Sequence, residues 1–262
     1  MRQFDIERFK NLARWSLKND KRNYVKSFLQ MLVIFTLLFL FFTTMATVKL
    51  NNQNVKYIPC AIVAIAAFAV LIVMGSSYMF YNMDGKHDMQ ALLMLPASNL
   101  EKYLMRYATW ILLLPLYLLA FFVADLLQYL VNVLVGHEGT MLVMQYVADN
   151  MSIGKILDTS ANGNTREVML NLLMVALWIH SLYALGATFF RWRKYNSILT
   201  SVVLVAGYIL LTAFCGWGSA NCAWWNNHRL FNLLYLVLIV FNFGLSYRLF
   251  CRQQVIGKFI NW

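Results

Sequence analysis

Residues 27–48 read SFLQMLVIFTLLFLFFTTMATV, a run with thirteen Leu, Ile, Phe or Val side chains and no charge. A helix rises 1.5 Å per residue, so a run of this length spans the roughly 30 Å of bilayer hydrocarbon. At about −0.3 to −0.6 kcal/mol per apolar side chain, the block gains about −4 to −8 kcal/mol of gross insertion energy. Five more blocks of this kind follow, at 57–81, 103–127, 168–190, 198–219 and 230–250. No ten-residue alternating pattern appears, which argues against a barrel and predicts an all-α, polytopic membrane protein of six spans. Composition points the same way. Of 262 residues, 61% are hydrophobic and 13% charged, where a soluble domain carries roughly 25% charged residues. A soluble enzyme with one ordinary core is excluded as the default. Three prolines and twelve glycines also argue against a low-complexity chain.

The net charge is +11, from 22 Lys and Arg against 11 acids. If the blocks span in turn, seventeen cations fall on one side and five on the other. Eight of the seventeen precede the first block; the rest lie in the second connection, the fourth connection and the tail. The positive-inside rule then places both termini in the cytoplasm of a multi-pass cell (inner) membrane protein. The charge excess reads as topology and attraction to anionic membrane lipids, not as a nucleic-acid surface. The first block begins after 26 mostly polar residues and is too long for a signal h-region, so it reads as a retained span.

Residues 1–26 form the cytoplasmic N-terminal segment, and 4–18 within it show an amphipathic pattern. Ile6, Phe9, Leu12, Ala13, Ser16 and Leu17 share one arc, with cations opposite and Trp15 at the edge of the polar face. This predicts an interfacial helix, either a cationic anchor that fixes topology or an elbow that also meets a cytoplasmic partner, with Phe9, Leu12 and Trp15 as its interfacial residues. The spans occupy 27–250, and residues 251–262 are a cytoplasmic tail.

The second connection, around 83–102, is the most informative. Met89, Leu92 and Leu93 lie at i, i+3 and i+4, so a short helix there shows one apolar stripe. Pro96 stops that helix. Ser98-Asn99-Leu100-Glu101 has capping-box spacing: the Ser98 hydroxyl can accept from the Glu101 N–H while the Glu101 carboxylate reaches back. The result is a helix–proline–helix corner, expected to expose an apolar knob that needs a partner or else folds back on the bundle.

With these residues in view, the chain resembles permease subunits of ATP-binding-cassette exporters of the second class. That family has an amphipathic elbow, six spans and a coupling helix between spans two and three. Its loop commonly reads Leu-Leu-x-Leu-Pro-(Val/Ala)-Ser followed by a Lys, and here Leu92-Leu93-Met94-Leu95-Pro96-Ala97-Ser98 and Lys102 look like that pattern. Lys86, His87, Asp88 and Met89 stand where the family carries acidic and Gly-Thr residues. The resemblance implies a coupling site at Met89, Leu92, Leu93, Leu95, Pro96, Ser98, Glu101 and Lys102. It also implies a homo- or heterodimer of permeases and a separate ATPase subunit that pushes on them. None of Gly85-Lys86, Gly154-Lys155 and Gly257-Lys258 is followed by Ser or Thr, so this chain is expected to bind no ATP itself.

Other chemistry is sparse. His180 falls near the middle of the fourth span, with Ala184 and Thr188 continuing its face. It reads as a neutral histidine bonded between helices, with a ligand or proton site as the alternative. Asp125 falls near the outer end of the third span and reads as a solvated carboxylate, with a substrate contact as the alternative. Asn242 reads as an interhelix hydrogen bond. Cys215 and Cys222 could pair on the outer side, but their spacing is not that of a redox or zinc motif. The outer loop 128–167 holds a largely apolar stretch, Met141–Ala148, expected as an interfacial or re-entrant helix, then a turn near Ser160–Thr165. Trp217, Trp224 and Trp225 read as an aromatic belt. Neither HExxH nor GxSxG occurs, so no enzymatic activity, metal or cofactor is expected. The leading expectation is an exporter permease. The alternatives are a non-transporting membrane scaffold or assembly protein, and a small secondary transporter using His180 or Asp125.

Overall fold

The computed structural model describes residues 4–45, 56–81, 83, 86–137, 140–150, 163–190, 195–215 and 228–252. The regular structure among them is helical, with no strand. Five helices are long and apolar enough to cross a membrane: Ile6–Thr44, Tyr57–Phe80, Asn99–Leu134, Met169–Phe189 and Phe231–Cys251. They correspond to the first four expected spans and the last. The fifth expected span falls on helix Asn196–Cys215, whose shorter apolar stretch is Asn196–Leu210.

Helix α1, Ile6–Met45, is unbroken over 40 residues, about 60 Å. The expected elbow and first span are thus one continuous helix. The chain has no Gly or Pro before Pro59, so nothing breaks the helix where an elbow would turn. Asp5 caps its start, accepting from the Glu7 N–H at 2.9 Å. Helix α2, Tyr57–Met74, continues into a 3₁₀ segment, Gly75–Phe80. Helix α3, Lys86–Met94, ends before Pro96 as expected. Helices α4, Asn99–Ile111, and α5, Leu113–Leu134, are separated at Leu112. Pro115 explains the break, because it has no N–H to give the Ile111 carbonyl. Helix α6 is Val143–Asn150, overlapping the expected stretch Met141–Ala148 and ending two residues beyond it. Helices α7, Gly163–Phe189, α8, Asn196–Cys215, and α9, His228–Cys251, complete the chain.

The chain forms two compact units. The first comprises Met1–Lys18, Ile72–Trp110 and Asn164–Trp262; the second comprises Asn19–Leu71 and Ile111–Gly163. The first unit's core gathers Leu12, Phe80, Leu92, Tyr103 and Phe250 with small residues Ala184 and Ala187 of α7. Small side chains let apolar helices approach closely. In the second unit Phe121 meets Phe35 and Phe39 edge-on, at ring-centroid distances of 6.2 and 5.8 Å, an arrangement the ring quadrupoles favour. Tyr57, Cys60 and Val143 complete that core.

Candidate functional site

The corner between α3 and α4 belongs to the first unit and is built around Glu101, which is 0% exposed. Both capping-box bonds are present: the Glu101 N–H donates to the Ser98 hydroxyl at 3.2 Å, and the Ser98 N–H donates to Glu101 Oε2 at 2.9 Å. The other carboxylate oxygen reaches further. Oε1 accepts from the Asp5 N–H at 2.8 Å and from Arg8 Nη2 at 3.0 Å. One buried carboxylate therefore ties the start of α1 to the start of α4. Lys102 closes the corner from the other side. Its Nζ donates to the Leu93 carbonyl at 2.7 Å, one of the α3 carbonyls left open by the end of the helix.

Leu92 and Leu93 of the α3 stripe face inward, the second of the two arrangements expected for the corner. Leu92 is 0% exposed, and Leu93, Leu95 and Ala97 pack against the same core. The surface of the corner is instead Ala91, Met94 and Pro96, with Met94 82% exposed. The reason is that Met79, Phe80, Met83 and Phe250 offer the stripe a closer apolar partner than solvent. The backbone of Met89 lies in α3, and its side chain is outside the described residues. Leu12 is in the core with Phe9 and Trp15 against it, while Ile6 and Leu17 are exposed.

His180 lies deep in the first unit between helices. Nδ1 sits 2.6 Å from the Ile72 carbonyl and Nε2 2.8 Å from the Tyr107 hydroxyl. A carbonyl only accepts, so Nδ1 carries a proton, while Nε2 faces a hydroxyl that can either donate or accept. Ile72 is in the last turn of α2. The Ser76 hydroxyl donates to the His180 carbonyl at 2.7 Å, and Asn196 Nδ2 donates to the Ser77 carbonyl at 2.9 Å. Asn196 thereby serves the backbone of the 3₁₀ segment, and Ser76 of that segment serves the backbone of α7, as apolar surroundings require. Asn242 Nδ2 donates to the Ser181 hydroxyl at 2.9 Å, an interhelix bond of the kind expected. Ser246, Tyr103 and Thr188 form a second such knot.

In the second unit Asp125 is 2% exposed, not solvated as expected. Oδ1 accepts from the Val143 N–H at 2.8 Å and Gln128 Nε2 at 3.1 Å; Oδ2 accepts from the Met144 N–H at 2.9 Å. The carboxylate caps α6 from a different helix. Gln128 also donates to the Met141 carbonyl, and the Tyr57 hydroxyl accepts from the Met141 N–H. Asn132 Nδ2 lies 3.0 Å from both the Thr43 hydroxyl and Gln128 Oε1. This reading of α5 was missed, although Asp125, Gln128 and Asn132 recur at helical spacing and mark a polar stripe in an apolar helix.

Among the described residues no cluster of His, Cys, Asp or Glu could hold a metal. Cys222, Ser160, Asn162 and the three loop tryptophans lie outside the described residues, as does the Cys215 side chain. Gly163, Asn164 and Thr165 open α7 instead of forming a turn. No protein-family model matches the chain, and no match was found among curated proteins or solved structures.

Proposed function

We propose that the chain is the membrane permease subunit of an ATP-driven exporter, working with a separate ATPase subunit that docks on the α3–α4 corner. The observation that carries this reading is the buried Glu101 brace, joining Asp5 and Arg8 of the N-terminal segment to Ser98 at the head of α4. A push on Met94 and Pro96 meets a block whose joints all converge on one fully buried carboxylate. The push is transmitted to the long helices that follow. In this reading six spans lie in the inner membrane with both termini cytoplasmic, two permeases form the pathway, and ATP binding to the partner biases inward- against outward-facing states. The bonds of His180 and Asp125 support structural roles over ion coupling, since both imidazole nitrogens and both carboxylate oxygens are engaged by the protein.

The test is purification of the full chain from its native membrane, with identification of a bound chain carrying the GxxxxGK(S/T) phosphate loop. Met94→Glu places a charge on an 82% exposed side chain. It is expected to weaken that association about tenfold, ~1.4 kcal/mol, with unchanged thermal stability. Undiminished association in Met94→Glu, or purification without any such ATPase, would overturn the docking assignment.

A further inference from the structure

We propose that Lys56 and the N-terminal turn of α2 form a binding site for one small oxyanion of the carboxylate class. The inference lies wholly within the second unit and is independent of the exporter reading. Lys56 directly precedes α2 and is 4% exposed. Lys56, Cys60 and Ala64 follow at steps of four and all three are buried, so the lysine stands on the inward face of the helix. The other face carries Ile58, Ile62 and Ile65, which are exposed. The ammonium is thereby turned from the apolar outer face, and the general attraction of cations to a charged bilayer does not account for it.

A buried ammonium normally has a carboxylate beside it. Among the described residues Lys56 has no ion pair and its Nζ no hydrogen bond; the Tyr57 ring lies over it, 5.2 Å from Nζ to the centroid. A ring face offsets part of the lost hydration, and a charge-assisted hydrogen bond to an anion offsets more. Asp125, the buried carboxylate of the same core, does not supply it, because its two oxygens accept from Val143, Met144 and Gln128. Burial lowers the Lys56 pKa from its ordinary value, with no neighbouring charge opposing the shift. The helix adds to the imbalance. The open N–H groups of its first turn favour an anion and disfavour the cation that the sequence places there. Pro59 has no N–H, which leaves those of Tyr57 and Ile58. The Tyr57 ring is held in place, its hydroxyl accepting from the Met141 N–H at 2.9 Å and its face stacked on Tyr146 at 6.2 Å. One singly charged carboxylate balances the ammonium and accepts from the ammonium and the helix end together. The small residual exposure of Lys56 admits formate or acetate and not a bulky anion.

The experiment uses the purified full chain in uncharged detergent, with its thermal unfolding midpoint read in sodium formate and in sodium gluconate of equal ionic strength. Both anions are singly charged carboxylates, and gluconate is the bulky one. Wild type is expected to unfold about 3 °C higher in formate, the difference saturating with concentration. Lys56→Met is expected to lose that difference and, in gluconate, to unfold above wild type, because no unbalanced charge is left. Lys10→Gln, which removes an exposed cation of the first unit, should keep the wild-type difference. Equal midpoints for wild type in the two salts overturn the proposal, and so does a formate response retained in Lys56→Met. Native mass spectrometry of the chain as purified distinguishes a second source of the anion. The expected result is no phospholipid whose retention depends on Lys56. A phospholipid held by wild type and lost in Lys56→Met would assign the site to a lipid phosphate and overturn the small-anion assignment. Should Lys56→Met fail to fold, Lys56→Gln carries the same test.

Discussion

Three donors converge on the Glu101 carboxylate, and none of its surface meets solvent. Glu101→Gln keeps one acceptor oxygen, loses the charge that pairs with Arg8, and turns an amide N–H₂ toward a donor. It is expected to cost about 2 kcal/mol, and Glu101→Ala about 3 kcal/mol, read as a lowered unfolding midpoint in detergent. An unchanged midpoint in both variants would remove the brace from the mechanism. Half of this arrangement was legible in the sequence. Ser98 and Glu101 sit within one helical turn, so their spacing alone predicts the capping box. Asp5 and Arg8 lie 96 and 93 positions from Glu101, and no local pattern pairs them. Asp125 shows the opposite error: position along a span suggested water, while the partner that buries it comes from a helix 18 residues on. Asp125→Asn keeps one acceptor oxygen but turns an amide N–H₂ toward a backbone donor or Gln128, and is expected to cost about 1 kcal/mol. Asp125→Ala should cost about 2 kcal/mol and abolish hydrogen-exchange protection at the Val143 and Met144 amides. Protection retained in the alanine variant would contradict the cap.

At the scale of elements, block length and Pro96 carried most of the information, while the break inside the third block was not anticipated. Pro96 ends α3, and Pro115 separates α4 from α5. Periodicity placed Phe9, Leu12 and Ser16 on one face of α1 and Leu92 with Leu93 on one face of α3, and these side chains are buried or half-buried, but it did not give what they pack against. Trp15 and Leu92 are drawn inward by neighbours remote in sequence, so the inward face is fixed by packing and not by the local moment. The 3₁₀ segment after α2 had no local signature, since Gly75 alone does not dictate it. Its neighbour explains the glycine: a Cβ there would stand 2.7 Å from Trp110 Cε3. Gly75→Ala is therefore expected to lose about 1–3 kcal/mol. At Gly207 of α8 a Cβ meets nothing within 4 Å, and Gly207→Ala should gain about 0.5–1 kcal/mol from helix propensity. Thermal unfolding of the two variants checks the pair, and equal effects would contradict the close approach of Trp110.

For the whole molecule, the apolar blocks were sufficient to predict a helical, multi-pass membrane chain, because the hydrocarbon thickness sets a length that few other structures need. They could not predict which segments share a core. Leu12 and Phe250 meet in the first unit's core although the chain between them also builds the second. Such pairing depends on tertiary packing that composition does not encode. The exporter reading depends on force entering at one place, and Met94 and Leu134 offer a matched comparison. They are 82% and 85% exposed, one at the end of α3 and the other at the end of α5. A photo-crosslinking side chain at each position, activated in native membranes, tests that entry point directly. The expected result is a covalent adduct from position 94, and not from 134, to a chain bearing the GxxxxGK(S/T) phosphate loop. No such adduct from position 94, or equal adducts from both positions, would contradict the exporter reading.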